Sequence, residues 1–339
     1  MTNRSLAPAV MILVALLTRL LDAVDVPADW ERMRTIEPQQ YVCLRSEADV
    51  VIDGRLEDAA WKDVPWTEPF VNIEGEHAEP PRVRTRAKMV WNKHAFVVGV
   101  LLEEPLVWAT MKQHDSVIFR ENDVELFIDP DGDRHASGEL EINALNTTWD
   151  LFLTKPYRDR GRPDNSWEIT GLKTAVHVDG TINDPSDIDR AWSVEMLIPW
   201  QGLERVAGTM SLPPRLGDRW RVNFSRVQWQ IESADGVYRK VPGTREVNWS
   251  WSPQGVIDMH RPERWGYVYF GDHTFVPSAG TRRPEDIGAE RVLDIYYQQR
   301  AYRQLHGTWA SQFKDLGLPA DGLYDLRLEL LDDPLVGAS

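Results

Sequence analysis

The sequence predicts an all-β protein, an antiparallel β-sandwich, with a small α-helical appendage at the C-terminal end. Two observations predict it. From about residue 50 to residue 270 short strand-like runs recur, many with alternating apolar and polar residues, and turn-forming residues, rather than alternating helices, separate them. After residue 276 the pattern changes to one that is typical of helix.

The N-terminus is typical of a secretory signal peptide over residues 1–24. Arg4 supplies the positive charge, and residues 10–17 form an apolar run that is too short to span a membrane. Arg19 and a poor cleavage site leave an uncleaved anchor as the alternative. We therefore expect export to the bacterial periplasm or medium, with no stable membrane insertion after cleavage. Cys43, the only cysteine, excludes an intrachain disulfide.

Composition excludes one class of partner. The 53 acidic residues outnumber the 38 basic ones, which gives a net charge of −15. A nucleic-acid-binding protein needs a basic stripe, so we expect no nucleic-acid partner.

The strands are predicted from period-two alternation and the residues that bound each run. Residues 50–54 read as a first strand, followed by a short helix or turn at 56–64, and residues 92–94 as the turn of a hairpin. The remaining predicted strands cover residues 85–91, 95–102, 123–129, 138–145, 191–200, 218–229 and 265–270.

The hairpin 123–145 carries a polar face opposite its apolar one. Asp123, Glu125, Glu141 and Asn143 point away from the apolar side, and a turn near residue 134 places Glu125 opposite Asn143. Three interpretations stay open for this acidic face: acceptors for sugar hydroxyls, oxygen ligands for Ca²⁺, or solvated surface.

Residues 247–270 are the most informative stretch, because three of the 15 tryptophans lie there. Aromatic rings beside planar polar groups suit a sugar, which offers C–H faces and hydroxyls. The alternative is that these rings are core. Trp249 and Trp251 alternate beside Asn248 and point the same way, whereas Trp265 belongs to the last strand and is expected in the core.

The C-terminal tail reads as a linker at 277–286, a helix at 290–307 that ends at Gly307, a second short helix at 309–318 and a strand at 324–331. We expect it to pack on the sandwich, and partner binding is the alternative.

Residues of the acidic hairpin and of the segment 247–270 also allow enzymatic and metal-dependent interpretations. Asp123 and Glu125 are spaced at roughly 6.5–7 Å as same-face neighbours, near the separation of an inverting glycosidase pair. Asp129, Asp131 and Asp133 lack the spacing of an EF-hand loop and read as a turn. Met259 and His260 suggest haem ligation, but the chain has no C-x-x-C-H motif. No thiolate-rich zinc site, P-loop or nucleophile elbow is present.

An ordered set of motifs resembles the carbohydrate-binding module family 9 group. In chain order the matching pieces are VIDGRLEDAAWKDVPW, TRAKMVWNKHAFVVGVLL, ENDVELFIDPDGD, ELEINALNTTWDL, AWSVEMLIPW, GDRWRVNFSRVQW and WSWSPQGVIDMHRPERWGYVYF. They cover about residues 45–270.

The resemblance implies an immunoglobulin-like sandwich, structural calcium whose ligands are not assigned, and a sugar clasped between aromatic rings. Trp251 matches one stacking tryptophan and Asn248 its amide neighbour. The remaining site residues implied are Gln228 or Gln230, Glu125, Asp123, Asn143, Trp249 and, in place of a second stacking tryptophan, Phe119.

These observations predict an exported, non-catalytic module that binds a polysaccharide or oligosaccharide through aromatic stacking and polar contacts. The expected organisation is a signal peptide at 1–24, the sandwich at 45–273 and the helical appendage at 284–333. The alternative functions are a glycoside hydrolase of the xylanase kind and a haem-binding sandwich.

Overall fold

The structure, a computed structural model, describes residues 26–276 and 283–318. Within them the chain forms two compact units. The larger comprises the described residues from 36 to 276, and the smaller comprises residues 26–35 and 283–318. The predicted signal peptide and the predicted strand at 324–331 lie outside the described residues, and the predicted domain boundaries stay predictions.

Strands are the main regular elements of the larger unit and are numbered here in chain order. They are β1 Gln40–Arg45, β2 Val71–Asn72, β3 Thr85–Trp91, β4 Ala95–Glu103, β5 Asp123–Asp129, β6 Ser137–Asn143, β7 Thr148–Leu153, β8 Pro163–Asp164, β9 Lys173–Asp179, β10 Ala191–Pro199, β11 Arg219–Gln228, β12 Ile231–Ala234, β13 Val237–Lys240, β14 Val247–Ser250 and β15 Gly266–Gly271.

Thirteen of these strands form one curled sheet in the order β8-β7-β6-β5-β11-β15-β1-β3-β4-β10-β9, with β14 joining β11 to β2. The strands β12 and β13 form a separate hairpin. Neighbours are antiparallel except that β1 runs parallel to both β15 and β3. The two halves of the curled sheet share one hydrophobic core, so the fold is the predicted β-sandwich.

Alternation along the strands decides which side chains enter that core. Val124, Leu126 and Ile128 of β5 are buried in it. So are the alternating apolar residues of β10 and β11, namely Trp192, Val194, Met196, Ile198, Trp220, Val222 and Phe224. Phe127 points the other way and packs in a second cluster with Ile73, Met259 and Trp265. The second face of β5 is therefore covered as well.

Short helical elements connect the strands. One α-helix, α2, spans Glu204–Ala207, and 3-10 turns span Ala59–Trp61, Ile118–Arg120, Tyr157–Asp159, Trp200–Leu203 and Pro262–Arg264.

One predicted strand is wrong. Residues 50–54 form no strand, because the buried Glu195 of β10 takes the backbone donors that a ladder would use. Its Oε2 accepts the N–H groups of Asp53 and Gly54 at 2.9 and 2.8 Å, and its Oε1 accepts the indole N–H of Trp61 at 2.8 Å. A buried carboxylate is thereby satisfied by a loop.

The smaller unit pairs helix α1 (Val26–Met33) with helix α3 (Pro284–His306), followed by a 3-10 turn at Phe313–Leu316. The ring of Trp30 stacks on that of Tyr297 with centroids 4.5 Å apart, and its indole N–H donates to Asp294 at 2.8 Å. Helix α3 ends at Gly307 in the left-handed conformation, as predicted, although it begins six residues earlier than expected. In the described part of the chain, no helix is long and apolar enough to cross a bilayer.

Candidate functional site

A cavity of about 450 Å³ opens on the face of β5, β6 and β7 that points away from the main core. The segment 257–260 completes its wall. Its lining combines aromatic rings, carboxylates and one imidazole, and includes Phe119, Glu125, Phe127, Glu139, Glu141, Trp149, Tyr157, Asn248 and His260. Three predicted site residues, Phe119, Glu125 and Asn248, are therefore brought together.

Strand register places the carboxylates next to one another. Glu125 lies opposite Glu141, which in turn lies opposite Trp149, and Phe127 lies opposite Glu139. The predicted register, with Glu125 opposite Asn143, is wrong by two residues, since Asn143 lies opposite Asp123.

The turn between β5 and β6 explains this register. Its backbone N–H groups at Gly132 and Arg134 donate to the two carboxylate oxygens of Asp129 at 2.9 and 3.0 Å. Asp131 and Asp133 accept similar local bonds from Asp133 and His135. The aspartates of this segment close a turn, as predicted, and the turn accounts for them without a metal ion.

Burial governs the charge of the three carboxyl groups of Asp123, Glu125 and Glu141, which have oxygens within 4.8 Å of one another. Burial, reinforced by the neighbouring carboxylates, raises the pKa of all three above the usual range, and that of Glu125 to about 8. The group therefore holds protons at neutral pH. The interpretation of this face as solvated surface is wrong, because all three residues are buried.

Asp123 does not reach the cavity. Its side chain is fully buried, with Oδ1 near the N–H of Val227 at 3.4 Å and Oδ2 without a hydrogen-bond partner among the described residues. The predicted catalytic pair of Asp123 and Glu125 therefore does not face a common substrate space. Glu125 alone of the two lines the cavity.

His260 forms the ionic part of the wall. Its Nε2 lies 3.1 Å from Glu139, and its Nδ1 lies 3.7 Å from Asp258. Burial alone would lower the pKa of His260, but Glu139 and Asp258 raise it to about 10, so the ring is an imidazolium. Because both ring nitrogens face carboxylates, haem ligation through His260 is not supported.

An aromatic pair, the exposed Phe119 and the half-buried Trp149, borders the carboxylates. Phe119 is 38% exposed, and its ring lies 6.2 Å from that of Trp149 at an interplanar angle of 26°. The backbone N–H of Phe119 donates to Glu141 at 2.9 Å, and its carbonyl accepts the indole N–H of Trp229 at 3.0 Å. These bonds hold the Phe119 backbone against the strand that carries Glu141.

The predicted stacking platform is wrong in its position. Trp251 is 1% exposed and Trp249 is 3% exposed, and both belong to the main core. The Trp251 ring lies over Gly266, where an added Cβ would come within 2.5 Å of it. Trp265, expected in the core, is buried in the second cluster beside Phe127. The large apolar area of these rings stabilises the sandwich.

Two further predicted residues are engaged by the protein itself. The Gln228 amide donates to Glu104 at 2.9 Å and accepts from Arg226 at 2.9 Å. Asn143 is fully buried, and its amide donates to Glu121 and to the Met111 carbonyl.

A second cavity, of about 380 Å³, lies on the other side of β14. Gln228 and Trp249 line it together with Gln230, Trp229 and Arg245. Among its lining residues the one carboxylate is Glu104, which does not line the first cavity. The predicted site residues therefore fall into two separate places.

Sequence reasoning missed Trp149, Glu139, Tyr157 and His260 as site residues. The signal for the first two was available, because alternation along β6 and β7 puts Glu139 and Trp149 on the same face as Glu125. Tyr157 and His260 lie in loops and meet edge-on, with ring centroids 4.5 Å apart. Contacts between such connecting segments leave no periodic pattern of residues in the sequence.

Comparison with known proteins agrees with the fold. The sequence model of a family described as carbohydrate family 9 binding domain-like matches residues 52–210. A Bacteroides uniformis protein to which carbohydrate binding is ascribed is 15% identical, with a TM-score of 0.51 over 69% of this chain and 100% of that chain. At that identity the likeness shows a shared fold.

Two further solved structures are carbohydrate binding modules of family 9 from Caldicellulosiruptor kristjanssonii. One, in complex with cellotriose, is 15% identical with a TM-score of 0.45, and covers 73% of this chain and 98% of that chain. The other, in complex with glucose, is 16% identical with a TM-score of 0.44, and covers 72% and 100%. A comparison with curated protein sequences finds no match.

The match at 52–210 contains β5, β6 and β7, which contribute six of the residues that line the first cavity, and ends before Trp249 and Trp251. Residues 52–210, which include these three strands, therefore match the carbohydrate family 9 binding domain-like family.

Proposed function

We propose that the protein is a non-catalytic carbohydrate-binding module and that the cavity on β5, β6 and β7 holds a saccharide unit. The observation that carries the proposal is the ring pair of the exposed Phe119 and the half-buried Trp149 beside the carboxyl groups of Glu125, Glu139 and Glu141. The volume of about 450 Å³ lies within the roughly 300–1,000 Å³ of small-molecule sites. The family match supports carbohydrate as the ligand class.

The two kinds of lining group suit different parts of a sugar. The apolar face of a pyranose packs against an aromatic ring, whereas its hydroxyls need both donors and acceptors. Because the pKa of Glu125 and of Glu141 is raised by burial, their carboxyl groups keep a proton and donate as well as accept. The Asn248 amide adds donors to the same wall.

Direct binding measurements test this proposal. Isothermal titration calorimetry of the full chain against a panel of gluco- and xylo-oligosaccharides identifies a ligand. Trp149→Ala should then weaken binding by roughly 5–30-fold, which corresponds to about 1–2 kcal/mol for a lost stacking face.

Trp309→Ala is the matched control, because Trp309 is 38% exposed and lies outside the cavity. Phe119→Ala and Phe275→Ala form a second matched pair, since Phe275 is also exposed and does not line the cavity. Equal affinity in Trp149→Ala, Phe119→Ala and the parent protein would reject this cavity as the site.

Glycoside hydrolysis is the alternative, and the geometry does not favour it, because Asp123 cannot contact a substrate in the cavity. Sugar-release assays on the same panel decide the matter. Turnover by the parent protein that is lost in Glu125→Gln would establish an enzyme in place of a binding module.

We further propose that the module acts outside the cytoplasm, supported by the apolar run at residues 10–17. N-terminal sequencing of the protein recovered from a bacterial periplasm or medium would reveal cleavage near residue 24. Retention of the full N-terminus in the cytoplasm contradicts export.

A further inference from the structure

A second group of ligand-type side chains lies apart from the sugar cavity. It consists of His114, Asp115, Asp150 and Glu168, each of which contributes one nitrogen or oxygen atom to a set within 4.8 Å. His114 and Asp115 precede the 3-10 turn at Ile118–Arg120, and Glu168 lies between β8 and β9. Asp150 belongs to β7 and, as the neighbour of Trp149, points to the opposite face of the strand.

Hydrogen bonding sets the protonation of the His114 ring. Its Nδ1 lies 2.9 Å from the carbonyl oxygen of Thr148, which can only accept, so Nδ1 carries a hydrogen. The remaining nitrogen, Nε2, faces carboxylates: both oxygens of Glu168 at 3.2 Å and Asp115 at 3.4 Å. A backbone carbonyl behind the ring is the arrangement that orients metal-binding histidines.

The Asp150 carboxylate supplies an independent observation. It is 1% exposed, and its Oδ2 accepts the N–H of Ile169 at 2.6 Å. Its Oδ1 is buried without a hydrogen-bond partner among the described residues and lies 3.9 Å from His114 Nε2. A buried carboxylate oxygen left unpaired costs free energy, and a cation between it and the imidazole would remove that cost.

We infer that His114, Asp115, Asp150 and Glu168 bind one divalent transition-metal ion of the Zn²⁺ or Mn²⁺ class. Adjacent ligands bonded to such an ion at ~2.0–2.2 Å lie roughly 3.0–3.5 Å apart. The separations of 3.2, 3.4 and 3.9 Å between Nε2 and the three carboxylates need only small shifts to reach that spacing. The imidazole selects against Ca²⁺ and Mg²⁺, which prefer all-oxygen ligands.

The test is metal binding by the full chain after chelator treatment and dialysis. Titration calorimetry with ZnCl₂ and with MnCl₂ should show one site for at least one of the two ions, together with a raised melting temperature. His114→Gln and Asp150→Asn should each weaken that site by at least ~10–100-fold, the loss that even outer partners of a ligand cause.

His94→Gln is the control, because His94 is also exposed but lies outside the four-residue group. If circular dichroism shows that the Asp150→Asn variant does not fold, His114→Gln alone tests the site, since His114 lies in a loop and its replacement leaves the sheet intact. Absence of a stoichiometric Zn²⁺ or Mn²⁺ site overturns the inference. So would unchanged affinity in His114→Gln, or tighter binding of Ca²⁺ or Mg²⁺ at these residues.

Discussion

The carboxyl group of Glu141 accepts the backbone N–H of Phe119 at 2.9 Å, and so ties the 3-10 turn that carries one ring of the aromatic pair to the strand beside the other. Glu141 lies opposite Trp149 in the sheet. One buried acid thereby fixes the spacing of the Phe119–Trp149 pair, whose ring centroids are 6.2 Å apart. This relationship makes Glu141 a positioning residue for the proposed sugar site.

Replacing Glu141 tests that role. Glu141→Gln keeps an acceptor for the Phe119 N–H and should bind saccharide nearly as tightly as the parent protein. Glu141→Ala leaves that N–H without its acceptor, which costs about 1–3 kcal/mol of stability, and should also weaken saccharide binding. Calorimetry and urea unfolding measure the two effects, and a Gln variant that loses as much affinity as the Ala variant contradicts a positioning role.

Trp251 should matter for stability and not for the ligand. Removal of its buried ring in Trp251→Ala is expected to cost about 3–5 kcal/mol of unfolding free energy through the cavity it leaves. Trp309→Ala, which changes a partly exposed ring, should stay within about 0.5 kcal/mol. Urea unfolding gives both values. If the Trp251→Ala variant remains fully folded but loses sugar affinity, Trp251 belongs to the binding site.

Stability should fall as pH rises, in part because of Glu125. Its pKa is raised by burial to about 8 in the folded state from 4.5. Between these values the unfolded chain ionises and the folded one keeps its proton, so the free energy of unfolding decreases with rising pH.

Glu125→Gln removes that ionisation. Relative to the parent protein, it should gain on the order of 2–4 kcal/mol between pH 5 and 8.5, at ~1.4 kcal/mol per pKa unit. Urea titrations at both pH values measure the change, with exposed Glu57→Gln as the control. An equal pH dependence in the parent and Glu125→Gln proteins would exclude this assignment.

The ion pair between Glu104 and Arg226 is buried, at 2.8 Å, and Gln228 bonds to both partners. Glu104→Gln leaves the guanidinium without a buried counter-charge and should cost about 3–5 kcal/mol. Glu103→Gln breaks the exposed pair with Arg84, whose separation is 2.6 Å, and should cost only ~0–1 kcal/mol. Similar unfolding midpoints for the two variants would show that the Arg226 charge is not desolvated.

The local pattern of apolar, polar and turn residues was sufficient to predict much of the sheet. The predicted bounds of β3 and β5 agree with the structure to the residue, because turn residues flank runs with strict period-two alternation. The strands β7 and β9 were not predicted, since burial on both sides of β7 and on neither side of β9 blurs that alternation. The strand β1 was also missed, although its buried residues alternate. The segment at 50–54 has strand-like composition, but its backbone donors bind the distant Glu195.

By itself, the sequence determined the all-β class, the helix at the C-terminal end and the acidic face of β5 and β6. It also contained Phe119, Glu125 and Asn248, which line the cavity. Only the tertiary structure decided which tryptophans are core. Trp249 and Trp251 have the spacing of an exposed pair, but packing from both halves of the curled sheet covers them. The physical reason is that alternation shows which side chains share a face, whereas exposure depends on what distant segments lay over that face.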